Sequence, residues 1–141
     1  MSEEKAQQLM QQMQMLETYF TDLSQRESTL YSVLREAVAA IESIKAINQK
    51  PTSDVLVPVG MGSFVKTKIS SSDRIVLNIG AGVSLEKDSS AAINYLEAKI
   101  KEIEVAIQDT SSKKHDAAQQ LEQGKKQINQ LIQGYPKNPS D

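Results

Sequence analysis

Few residues of this chain are of the types that catalyse reactions or bind metals. His115 is the only histidine among 141 residues, and the chain has no cysteine. A single imidazole on the outer face of a helical repeat has no second ligand with which to share a metal ion. Without cysteine there is neither thiolate chemistry nor a disulfide. The composition therefore predicts no enzymatic activity, no metal and no other cofactor.

The glycines of Gly80-Ala81-Gly82 resemble the first half of a dinucleotide-binding fingerprint. The third glycine of that fingerprint is missing, because position 85 is Leu, and a strand pattern follows where a helix would be needed. The sequence also contains no Walker loop and no Gly-x-Ser-x-Gly motif. A tight turn is therefore the better interpretation of these glycines.

Methionine and glutamine are concentrated near both ends of the chain. Four of the five methionines lie within the first fifteen residues, among glutamines, and a second glutamine-rich stretch begins at Gln119. Flexible thioethers on a helix of low charge adapt to apolar partners of different shapes. We therefore predict an adaptable apolar contact surface at Leu9, Met10, Met13, Met15, Leu16, Leu121, Ile128, Leu131 and Ile132.

Part of this surface has a second interpretation, because several of its members fall on a heptad repeat and would form the core of a coiled coil. Three members lie outside the a and d positions, so helix pairing does not account for them. These three fit either a binding surface or incidental exposure; they are Met10, Met15 and Ile132.

The elements that must position these residues are two long heptad helices. The first seam repeats from Leu9 to Ile44 with one polar break at Glu27, and Lys50-Pro51 supplies the stop, which predicts a helix over 1–50. The second seam repeats from Ile93 to Leu131 and predicts a helix over 90–133, with Ser89 and Ser90 as N-cap residues. Glycine and prolines after position 133 predict a flexible tail over 134–141.

Between the helices, at 51–89, the apolar period changes from 3.5 to 2 and predicts four strands. Gly-x-Gly turns divide them into the pairs 54–59 with 63–69 and 74–79 with 83–86, which are two β-hairpins. Such short hairpins cannot bury enough apolar surface alone. We therefore predict an oligomerisation surface at Val55, Val57, Val59, Phe64, Val65, Ile69, Ile75, Leu77, Ile79, Val83 and Leu85.

The predicted fold is α+β and mainly α. A long antiparallel coiled-coil hairpin is joined through two β-hairpins, which form part of a closed or sandwich-like β body shared with further subunits. Side-chain volumes favour the register in which facing residue numbers sum to 137, because large side chains then meet small ones. This register places Phe20 opposite Ala117 and Met13 opposite Gly124.

The charges exclude one class of partner. The 16 basic and 18 acidic residues nearly cancel, and they also cancel locally, so no basic stripe is available for nucleic acid. No apolar run approaches the ~20 residues of a membrane span, and the N-terminus lacks the pattern of a signal peptide. We therefore expect a soluble, cytoplasmic protein that binds neither nucleic acid nor membrane.

The middle of the chain resembles the alpha-type subunit of prefoldin, an archaeal and eukaryotic cochaperone. The resemblance lies in Leu56-Val-Pro-Val-Gly-Met-Gly-Ser-Phe-Val65, Ile75-Val-Leu-Asn-Ile-Gly-Ala-Gly-Val83, Glu86-Lys87, Ala92-Ile93 and Leu96-Glu97. It implies an ATP-independent holdase, a hexamer in which two such subunits and four beta-type subunits share a β-barrel body. It also implies that the apolar contact surface at the helix ends is a client-binding surface, where the coiled-coil tips would grip unfolded proteins and pass them to a group II chaperonin. A passive coiled-coil scaffold or adaptor subunit of an oligomer is the alternative.

Overall fold

The computed structural model describes residues 2–133, so the predicted tail at 134–141 lies outside the described residues. The element order is α1 (Ser2–Asn48), β1 (Thr52–Gly60), β2 (Ser63–Ser70), β3 (Ile75–Gly80), β4 (Val83–Lys87) and α2 (Ser89–Gln133). Two long helices thus flank two antiparallel hairpins, which confirms the predicted α+β fold. Neither described helix is long and apolar enough to cross a membrane. The described residues divide into two compact units, 2–31 with 105–133, and Ser32–Glu104.

In the first unit the buried residues of α1 and α2 follow the heptad seam. Met13 and Leu23 on α1, and Ile107 and Ala117 on α2, are buried although their neighbours on the outer faces are exposed. Thr110 is the most buried polar residue of this seam at 2% exposure. Its hydroxyl donates to the carbonyl oxygen of Ala106 at 2.7 Å, so the buried polar group is satisfied within its own helix.

The second unit holds the helix ends that join the hairpins. The first turn of α2 is capped by Asp88, whose Oδ1 accepts a hydrogen bond from the backbone N–H of Ala91 at 2.7 Å. The prediction that Ser89 and Ser90 cap this helix was wrong, because the helix begins at Ser89 and Asp88 is therefore the N-cap residue. Its carboxylate also interacts favourably with the helix dipole. Further along α2 the hydrogen bond and charge of Glu102 raise the pKa of the exposed Lys99.

The hairpins share one turn geometry. In β1–β2, Val57 pairs with Val65, and the register shifts by one residue before the turn. The two turn residues, Met61 and Gly62, have φ angles of 52° and 73°, as a two-residue hairpin turn requires. The β3–β4 hairpin repeats this arrangement with Ala81 and Gly82. The Gly-x-Gly prediction is confirmed in both hairpins.

The two hairpins differ in how many apolar faces they carry. Because neighbouring residues of a strand point to opposite faces, Val57 and Val65 lie on one face of β1–β2, and Leu56 and Phe64 lie on the other; all four are exposed in this chain. The β3–β4 hairpin is different. One face carries its apolar residues, and the other carries the exposed Arg74–Glu86 ion pair beside a single apolar residue.

Candidate functional site

The helix pair of the first unit contains a notch at Gly124 that holds the side chain of Met13. A Cβ atom added at position 124 would overlap the sulfur of Met13 and lie 3.2 Å from its Cε. Met13 is 8% exposed, so its thioether occupies the space that a larger residue at 124 would fill. The predicted pairing of Met13 with Gly124 is confirmed.

A second contact across the same helix pair fixes its register independently. The Nζ atom of Lys114 on α2 lies 3.3 Å from Oε1 of Glu27 on α1 and 5.4 Å from the ring centre of Phe20. The predicted register, in which facing residue numbers sum to 137, places Lys114 opposite Leu23, which lies between Phe20 and Glu27 on α1. A shift by one heptad would move Lys114 about 10 Å along α1, and these contacts rule out such a shift.

A groove of about 430 Å³ lies around the Met13 notch. Apolar side chains of α1 and the glycine of α2 line it, and glutamines of both helices complete the wall; the lining residues are Leu9, Gln12, Met13, Met15, Leu16, Gln120, Gln123, Gly124 and Gln127. A second groove of about 410 Å³ shares three of these residues and is lined by Lys5, Gln8, Leu9, Gln12, Gln127, Gln130 and Leu131. We call the two together the tip groove.

The predicted client-binding residues divide by exposure. Met10, Met15 and Ile132 are 49%, 74% and 56% exposed. Met13 is buried in the notch, and the others are half-buried; these are Leu9, Leu16, Leu121, Ile128 and Leu131. Five of the predicted residues line the tip groove: Leu9, Met13, Met15, Leu16 and Leu131. The other four are not among its lining residues: Met10, Leu121, Ile128 and Ile132. The glutamines of its wall were not among the predicted site residues, although their clustering was visible in the sequence.

Of the predicted oligomerisation residues, seven are exposed and four half-buried in this chain. The exposed ones are Val57, Val59, Phe64, Val65, Ile79, Val83 and Leu85, and the half-buried ones are Val55, Ile69, Ile75 and Leu77. Three further apolar residues of the hairpins are exposed and were not among the predicted residues: Leu56 at 62%, Val76 at 63% and Met61 at 104%. The apolar character of β1 on both faces was the signal that could have identified Leu56.

The chemistry of the described residues is that of a contact surface. Among residues 2–133, no three histidine, aspartate or glutamate side chains lie close enough together to hold a metal ion. His115 lies on the outer face of α2, where its Nε2 is 3.2 Å from Nε2 of Gln119. The apolar groups offered by the groove and by the hairpins suit binding to other polypeptides.

Fold and surface together define a class of protein: an α+β subunit with a coiled-coil helix pair and two hairpins that expose apolar residues. The family model described as "Prefoldin subunit" matches residues 2–134. The chain belongs to the prefoldin family and is of its alpha type, which gives it a chaperone-type role.

Two curated relatives illustrate this membership. The chain is 69% identical over 133 residues to prefoldin subunit alpha of Nitrosopumilus maritimus, covering 94% of this chain and 92% of that protein. It is 28% identical over 128 residues to prefoldin subunit alpha of Methanospirillum hungatei, covering 85% of each.

The fold also matches an experimental structure. A cryo-EM structure of filamentous PFD from Methanocaldococcus jannaschii superposes with a TM-score of 0.60 and 20% sequence identity. The match covers 86% of this chain and 96% of the other. At this identity the match concerns the fold.

Proposed function

We propose that the chain is a subunit of an ATP-independent holdase that captures unfolded proteins at the tip groove and delivers them to a group II chaperonin. The observation that carries this proposal is the exposure of Met15, which lines the tip groove and is 74% exposed. Large apolar side chains exposed on a helix surface lower the solubility of a protein unless a partner covers them. Thioethers adapt to partners of different shape, which suits a receptor for many clients.

The proposed assembly is a hexamer of two chains of this type and four beta-type prefoldin subunits. The exposed apolar residues of the β1–β2 hairpin support it, because a two-stranded hairpin is marginal in water until its apolar faces are covered. Hairpins of several subunits would close into a β-barrel body and leave few free strand edges. In this proposal, the hairpin region at 51–89 forms the contacts between subunits, and the helix ends that carry the tip groove bind clients.

The test is suppression of aggregation by the assembled hexamer, with no ATP present. The tip variant replaces Met10, Met15 and Ile132 with serine. The matched control variant replaces three exposed apolar residues outside the tip groove with serine: Val33, Val38 and Val105. Transfer to a group II chaperonin is then measured as refolding of the held client after the chaperonin and ATP are added.

We expect the wild-type hexamer and the control variant to protect a chemically unfolded client equally. The tip variant should need about tenfold more protein for the same protection, because several contacts of a multivalent grip are lost at once. Equal protection by the tip and control variants would place client binding elsewhere. Failure of the wild-type hexamer to protect would favour the scaffold interpretation.

A further inference from the structure

The wall of the tip groove is almost free of charge. Eleven of the fourteen glutamines in the chain fall within 7–14 and 119–133, and the stretches 6–16 and 127–133 contain no charged residue. Among the described residues that line the two parts of the groove, Lys5 is the only charged one. Elsewhere the outer faces of α1 and α2 carry many charges, so the amide groups are concentrated where the groove lies.

Solvation alone does not account for glutamine at these positions. Glutamate, lysine and glutamine have similar helix propensities, and charged residues support a coiled coil through ion pairs in addition. Glutamine differs because its amide both donates and accepts hydrogen bonds and carries no charge. An exposed amide can therefore pair with either the N–H or the C=O of a backbone that has lost its secondary structure.

We propose that the tip groove binds an extended polypeptide segment through its unpaired backbone and its apolar side chains, without regard to the net charge of that segment. The inference rests on the proposed holdase function and specifies its substrate class. Leu9, Met15 and Leu16 receive the apolar side chains, and Gln12 and Gln127, which line both parts of the groove, pair with the backbone. A neutral wall neither attracts nor repels clients by charge.

The experiment measures binding of three fluorescent peptides to the assembled hexamer by anisotropy. The peptides share the same spacing of apolar residues and carry lysine, glutamate or asparagine at the remaining positions. The groove variant is Gln12→Glu with Gln127→Glu. Its matched control is Gln25→Glu with Gln108→Glu, which adds the same charge to both helices at exposed positions outside the groove.

For the wild-type hexamer, the three dissociation constants should agree within about threefold and change by less than about threefold between 0.05 and 0.5 M NaCl. The groove variant should bind the glutamate peptide about tenfold more weakly than the lysine peptide at low salt, and high salt should reduce this difference. The control variant should behave like the wild type. A strong charge preference in the wild type, or equal behaviour of the groove and control variants, would overturn the inference.

A second comparison isolates the backbone contact. The neutral peptide is prepared with N-methylated backbone amides, and Gln12 and Gln127 are replaced with methionine, which is similar in length but has no amide. We expect N-methylation to weaken binding to the wild type about fivefold and to have little effect on the methionine variant. Equal effects of N-methylation on both proteins would contradict the proposed pairing of Gln12 and Gln127 with the peptide backbone.

These outcomes separate the inference from the proposed function. If the wild-type hexamer neither binds the peptides nor suppresses aggregation, the holdase proposal fails. If it suppresses aggregation but discriminates peptides by charge, only the present inference fails. If the groove variant changes the size of the assembly instead of peptide binding, the groove belongs to a contact between subunits and the inference is wrong.

Discussion

The ammonium of Lys114 lies 3.3 Å from a carboxylate oxygen of Glu27, across the helix pair and 87 positions away in the sequence. Both side chains are partly buried, with exposed fractions of 29% and 22%. Lys114 also lies over the ring of Phe20. A polar pair at a seam position contributes less to stability than to the choice of one register, because the alternatives leave a charge against aliphatic side chains.

The first prediction concerns this ion pair. Lys114→Met should lower the free energy of unfolding by about 1–2 kcal/mol, because Glu27 keeps a partly buried charge without its partner and the contact with Phe20 is lost. The neighbouring Lys113 makes an exposed ion pair with Asp109 within the same helix. Lys113→Met should cost less than about 0.5 kcal/mol. Chemical denaturation of both variants gives the comparison, and equal losses would contradict this role of the pair.

The second prediction separates register from stability. Replacing Glu27 and Lys114 together with leucine should leave the free energy of unfolding unchanged or raise it, since a buried ion pair is often no better than apolar packing. The absence of cysteine lets register be measured by disulfide formation between single cysteines introduced at 16 and 121, compared with single cysteines at 16 and 128, which a slip by one heptad would bring together. Wild type should cross-link only the first pair, and the leucine variant should show both. Retention of a single cross-link would mean that the ion pair does not set the register.

The third prediction concerns the notch. Gly124→Ala should displace the thioether of Met13, because the added methyl group needs the space of its sulfur. Helix propensity favours alanine by about 1 kcal/mol, so the free energy of unfolding should change little. Oxidation of Met13 by peroxide, followed by mass spectrometry, should accelerate several-fold. Met10 and Met15 are already exposed and serve as internal controls; continued protection of Met13 would show that the notch accommodates a methyl group.

Much of the fold could be predicted because it follows local patterns. The heptad seams predicted both helices, the Gly-x-Gly turns predicted both hairpins, and the missing side chain of Gly124 indicated the partner of Met13. The cap of α2 could not be separated from its neighbours, since Asp88, Ser89 and Ser90 are all good N-cap residues and only the geometry selects Asp88. Leu56 and Val76 are exposed in the single chain. Whether they are covered in an assembly depends on the partner subunits, and the sequence of one chain does not specify those.

The fourth prediction uses the different faces of the hairpins. Phe64→Ser and Val65→Ser change opposite faces of β1–β2, and both should weaken assembly, because each residue is more than half exposed in the single chain. In β3–β4, Leu85→Ser on the apolar face should weaken assembly, and Ser84→Asn on the polar face should not. Sedimentation measures the assembled fraction, and each harmful change should cost about 1–3 kcal/mol of association. Full assembly of the Phe64→Ser variant would mean that the face of β1–β2 that carries Phe64 is not part of the interface.

The most direct test of the client-binding role is cross-linking from a defined position. Met15→Cys and Val105→Cys place a single benzophenone label at residues that are 74% and 70% exposed, the first in the tip groove and the second outside it. Each labelled hexamer is irradiated with a chemically unfolded client, and the cross-linked client is quantified. We predict a yield at position 15 at least about fivefold above that at position 105, since capture there is multivalent and local. Equal yields, or a higher yield at position 105, would contradict capture by the tip groove.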